Sequence, residues 1–180
     1  REYRLHVRRG LGKRFGWLLL ARSAGSTSEF VRIAAGHIAV GALARRGVGG
    51  LGIDLDSLAS IDPSVSARGK ILVAFAHAPR GTTLSYALRG FTPDVAQREP
   101  FDALLRGVTL ADGVRRYRLA YHGDVEGSAS PREELIFARV RHVRGLGGRS
   151  DAVAVRGDVP AGQALVISAC WSHDLRATYG

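Results

Sequence analysis

The sequence has one cysteine, Cys170, and no methionine. A single thiol excludes an internal disulfide framework, and with it the small secreted scaffolds that depend on one. It also excludes a thiolate metal site, which needs several cysteines. Lysine is nearly absent, with Lys13 and Lys70 the only two. No long hydrophobic run is present. Stretches such as Trp17 to Ala21 are far too short to cross a bilayer as a helix. The N-terminal stretch has no cleavable leader pattern. A chain that begins at Arg1 without methionine is expected to be trimmed from a longer product.

Arginine is abundant. Lysine plus arginine number 26 against 16 acidic residues, for a formal net charge of +10. A surplus of this size reads either as a coding bias on a solvated surface or as the electrostatic footprint expected for a polyanion partner, whose phosphates the planar guanidinium fork suits. The 180 residues, with 46% hydrophobic and 23% charged, are ordinary for a folded domain that needs no metal or disulfide staple.

Alternation dominates the pattern. Tyr3, Leu5 and Val7 alternate with Arg4, His6 and Arg8, which gives a strand with one apolar and one basic face. Strands are expected again at Trp17 to Arg22, Ile53 to Leu58, Lys70 to Ala78 and Thr82 to Arg89. Further along they are expected at Arg115 to His122, Glu134 to Val143, Asp151 to Val155 and Ala164 to Trp171. Residues 26–47 carry both a Ser26/Glu29 capping box and β-forming residues, and extended structure is favoured. Gly47 to Gly52 and Gly145 to Gly148 read as flexible turns. Thr92-Pro93 is expected to start a helix running to about Arg106, bent at Pro100. The fold class is therefore all-β: a jelly-roll-like sandwich of about 8–10 short strands with one or two short helices. Residues 1–22 are a basic N-terminal segment continuing into the domain, and residues 23–180 a single β-sandwich domain.

No catalytic set stands out. Cys170, His173 and Arg176, with His37 at a distance, resemble the constellation of sortase transpeptidases, and a cysteine hydrolase is one alternative function. The six histidines are not paired at metal-ligand spacing, and no metal or cofactor is expected. Asp54 and Asp56 could share a strand face and hold a cation, but the solvent face of an edge strand is the better reading. The glycine runs lack the Lys-Ser/Thr ending of a nucleotide loop.

Arg106 to Arg144 runs Arg-Gly-Val-Thr-Leu-Ala-Asp-Gly-Val-Arg-Arg-Tyr-Arg-Leu-Ala-Tyr, then a turn, then Glu-Glu-Leu-Ile-Phe-Ala-Arg-Val-Arg-His-Val-Arg. This resembles the last two strands of bromovirus and cucumovirus coat proteins, and Gly69 to Phe75 is similar to an earlier strand of that fold. The resemblance implies a non-enzymatic capsid subunit that assembles into a symmetric homo-oligomer or shell. It would package nucleic acid, RNA above all, by backbone contacts, in the virion and host cytoplasm and without a membrane. The expected nucleic-acid contacts are Arg4, Arg8, Arg9, Lys13, Arg14, Arg139 and Arg141. A monomeric cytoplasmic RNA-binding β-barrel is the other alternative.

Overall fold

The computed structural model describes residues 1–41, 46–93, 99–124, 133–174 and 176–179. Twelve strands carry the chain: β1 (Glu2–Arg9), β2 (Arg14–Arg22), β3 (Val31–Val40), β4 (Gly47–Asp54), β5 (Arg68–Ala78), β6 (Gly81–Thr92), β7 (Phe101–Leu110), β8 (Val114–Gly123), β9 (Glu134–Val143), β10 (Gly147–Arg156), β11 (Leu165–Ser172) and β12 (Ala177–Tyr179). One helix, α1 (Leu55–Ile61), lies between β4 and β5. All twelve strands form one sheet in chain order, each antiparallel to the next.

The all-β class is the one the alternation dictates, but the arrangement is not a two-layer sandwich. A sandwich buries one face of each sheet against the other, and a jelly roll needs connections that cross between sheets. Here every connection among the described strands joins neighbours. The accessible surface is 12444 Å², where a compact monomer of 19.3 kDa exposes roughly 8,500 Å². The excess fits a sheet that a second layer covers only where α1 packs on β2, β3 and β5. The buried apolar residues among the described residues are Ala21, Ile33, Ala34, Leu55 and Ala59. They gather where α1 rests on β2, β3 and β5.

Three local expectations are corrected. Gly47 to Gly52 is not a turn but most of β4, because aromatic rings from neighbouring strands occupy the space its side chains would need. A Cβ on Gly49 would stand 2.6 Å from the Phe75 ring. The strand expected at Ile53 to Leu58 ends at Asp54, whose carboxylate accepts from the Ser57 N–H at 3.0 Å and caps α1. The helix expected from Thr92 to Arg106 gives way to β7 from Phe101 onward, where two-sided pairing with β6 and β8 overrides local helix signals. Residues 94–98 of that expected helix lie outside the described residues. Pro100 immediately precedes the strand, where its missing N–H costs no ladder bond.

The connections differ systematically between the two ends of the sheet. At one end they are residues 10–13, 41–46, 79–80, 111–113, 144–146 and 173–176, two to six residues each. At the other they are 23–30, 55–67, 93–100, 124–133 and 157–164, eight to thirteen residues each.

Candidate functional site: a basic face opposite an apolar one

Directly paired residues in a sheet share a face, so the register sorts the side chains into rows. One row runs Val7, Trp17, Gly36, Leu51, Val73 and Tyr86, and continues through Leu105, Leu119, Ala138 and Ala152 to Ile167. It crosses eleven strands without a charge. The flanking row on the long-connection side includes Leu5, Leu19, Ile53, Ile71 and Tyr121; that on the short-turn side includes Phe15, Phe75, Leu84, Tyr117 and Val140. Aromatic rings aside, Arg9 and Ser150 are the only polar side chains in these three rows.

The rows end on exposed side chains. Leu5 of β1 is 63% exposed and Ile167 of β11 is 59% exposed, whereas Leu51, Val73 and Leu105 in the middle of the sheet are shielded by strands on both sides. Among the described residues, the one helix packs on β2, β3 and β5, and no helix or second sheet packs on β6 to β11.

The opposite face carries most of the charge in two of its rows, while its row on the long-connection side, Leu18, Leu72, Leu104, Ala120, Phe137, Val153 and Val166 among its members, is apolar from β2 onward. One of its rows reads Arg8, Gly16, His37, Gly50, Ala74 and Ser85, and then Arg106, Arg118, Arg139, Asp151 and Ser168. The adjacent row on the short-turn side carries Arg116, Arg141, Arg149 and Cys170 on β8 to β11. Four arginine pairs therefore face one another directly: Arg106 with Arg118, Arg118 with Arg139, Arg116 with Arg141, and Arg141 with Arg149. Directly opposed like charges weaken a sheet. One carboxylate answers them. Asp151 accepts from Arg149 Nε at 3.0 Å and Nη2 at 2.7 Å, and from Ser168 Oγ at 2.7 Å. Those hydrogen bonds, the arginine's foremost, hold its carboxyl below the ordinary aspartate value. Among the described residues, Arg106, Arg116, Arg118 and Arg141 form no ion pair and no side-chain hydrogen bond.

The expected nucleic-acid residues fall into separate places. Arg139 and Arg141 lie within this cluster. Arg4 and Arg8 share its face on β1, with seven strands between β1 and β9. Arg4 stacks over the Phe30 ring at 3.9 Å, with Arg22 at 4.5 Å from the same ring. Arg14 lies on this face at the start of β2, Lys13 lies in the β1–β2 turn, and Arg9 points to the apolar face. The cluster members not singled out from sequence as contacts are Arg106, Arg116, Arg118 and Arg149. Their signal was present in the i, i+2 spacing of Arg116 and Arg118, and of Arg149 and Asp151.

The other candidates do not assemble. Cys170 on β11 and His37 on β3 are on non-neighbouring strands, and His173 sits exposed in the β11–β12 turn. Asp54 caps α1 and lies 3.8 Å from Lys70 Nζ, while Asp56 accepts from the Gly69 N–H at 3.0 Å. No group of three metal-ligating side chains occurs among the described residues. Compared with protein-family models, curated proteins and solved structures, the chain matches none.

Proposed function

We propose that this sheet is the membrane-spanning wall of a β-barrel pore, with the apolar face against lipid and the basic face lining a water-filled passage. The observation that carries the reading is the apolar face itself, three adjacent rows across eleven strands whose one charge is Arg9 at the end of β1, with the arginine cluster on the opposite side. A transmembrane barrel alternates apolar-out with polar-in along every strand. Soluble sheets instead cover an apolar face with a second layer, and among the described residues no such layer packs on β6 to β11.

Other features agree. Eleven of the strands are eight to twelve residues long, close to the nine to eleven or so that span a bilayer at a tilt. Short turns at one end and long connections at the other are the usual asymmetry of such barrels. Chain-order antiparallel pairing is their topology, and lipid requires the edges to be paired by closure. No described helix is long and apolar enough to cross a membrane. The expectation of no membrane rested on that helical criterion, which is blind to strands. The coat-subunit expectation rested on a jelly roll, and a chain-order sheet lends it no support.

The test is refolding in the presence of lipid vesicles. The wall reading expects the chain to float with the vesicles, to migrate differently on gels before and after boiling, and to give discrete conductance steps in planar bilayers. A folded chain that stays out of the vesicles and conducts nothing would overturn it.

A further inference from the structure

We infer that the arginine cluster on β7 to β10 is a binding site for small multivalent oxyanions, of the phosphate and condensed-phosphate class. The inference deepens the pore reading and rests on it for how a solute reaches the site. Six strand positions in two adjacent rows could be filled by any neutral polar residue, yet they set arginine directly against arginine: Arg106, Arg118 and Arg139 and, one row over, Arg116, Arg141 and Arg149. Directly opposed like charges oppose the pairing that holds these strands together. A group of opposite charge placed between them removes that opposition.

The chain's own contribution is small. Asp151 is the only carboxylate in the two rows, and Arg149 and Ser168 already occupy it. The guanidinium donors of Arg106, Arg116, Arg118 and Arg141 are unspent among the described residues. A concavity of about 380 Å³ is lined by Arg116, Arg118, Arg139, Arg141, Arg149 and Asp151, with Tyr117 and Val140 of the intervening strand positions. Each guanidinium offers parallel N–H donors that match two oxygens of one oxyanion. Facing forks can therefore converge on a single phosphate, and the two rows can hold a condensed one.

A nucleic acid is the less suited occupant. Surfaces that hold single strands interleave basic groups with aromatic rings on which bases stack. On β7 to β11 the tyrosines and Trp171 belong to the apolar face, and Phe137 is the only phenyl or indole ring beside the arginines.

Isothermal titration of the folded full chain with inorganic pyrophosphate tests the site, in detergent or in buffer alike. Saturable binding is expected, weakened at least tenfold in an Arg118→Gln/Arg139→Gln variant and unchanged in Arg80→Gln, which alters an arginine in the β5–β6 turn. Without ligand, the double variant should melt no earlier than the parent, because it removes like-charge contacts. Absence of pyrophosphate binding, or binding indifferent to the double substitution, would overturn the site. So would binding of an oligonucleotide by a chain that ignores pyrophosphate, which would mark a polyanion surface instead. The planar-bilayer measurement stands apart: a silent bilayer with pyrophosphate still bound removes the pore and leaves the site.

Discussion

Tyr117 lies over Gly107, its direct cross-strand partner on β7. A Cβ built on Gly107 would stand 2.9 Å from both Cδ1 and Cε1 of the ring, while the next atom, the Leu84 carbonyl oxygen, is 4.0 Å away. The glycine is thus a socket for one ring. Gly107→Ala should cost about 1–3 kcal/mol, the usual penalty for overfilling a packed position. Because the ring is the only obstacle, Tyr117→Ala in the same chain should absorb most of that penalty. Urea titration of the two single variants and the double variant measures it; strictly additive losses would show that the socket plays no part.

The single cysteine serves as a natural reporter. Cys170 sits opposite Arg149 on the basic face of β11, half-buried and without a disulfide. In vesicle-inserted protein it should react with water-soluble methanethiosulfonates, and faster with the anionic sulfonate than with the cationic ammonium reagent. A cysteine placed at Ile167, in the middle apolar row, should react only with lipid-soluble reagents on a cysteine-free background. Equal accessibility of both positions to the water-soluble reagents would contradict the assignment of faces.

Neighbouring residues on one strand give a sharper contrast. Leu104 and Leu105 are adjacent on β7 but face opposite ways. Leu105→Arg puts a charge in the middle apolar row and should cost about 2–4 kcal/mol, as for arginine near the centre of a bilayer. Leu104→Arg, on the basic face, should cost distinctly less. The measured quantity is the folded fraction in vesicles against urea.

A fourth expectation concerns acid. Asp102 accepts from the Gly90 N–H at 2.8 Å and from Arg89 Nη1 at 2.7 Å, pinning the irregular stretch where the β6–β7 register shifts between Leu88 and Phe91. The backbone hydrogen bond first, and Arg89 second, lower its pKa from 3.8. A carboxyl with a depressed folded pKa contributes stability that is present above pH 3.8 and fades as pH falls through the folded value. Protection of the Gly90 amide against hydrogen exchange should therefore hold at neutral pH and decline only in that acid range. In Asp102→Asn the decline should be absent. Loss of protection near pH 6 would point to another group.

Much of the strand pattern was legible because period-two alternation writes each face directly into the sequence: Tyr3, Leu5 and Val7 against Arg4, His6 and Arg8 needed no further information. β4 was not legible. Four glycines in Gly47–Asp54 look like a loop until Phe75 is known to lie beside Gly49. β7 was obscured by helix signals at Thr92 and Pro93, and only its partners on both sides decide for a strand. The layering failed for a related reason. Alternation states that a strand has an apolar face but not whether protein or lipid covers it. The basic cluster was half legible: Arg139 and Arg141 stood out, but register alone sets them against Arg116 and Arg118.

Chain-order pairing also bears on how the sheet comes into being. No described strand waits for a distant partner, and the longest connection to close is residues 55–67. Closing loops of that length takes well under a microsecond, and hairpins form within microseconds. The sheet can therefore grow by adding one hairpin to the last, with no early long-range search. Until it is complete, each intermediate carries an unpaired strand at its growing edge, so the rate at which that edge finds its next partner governs the competition between assembly and aggregation.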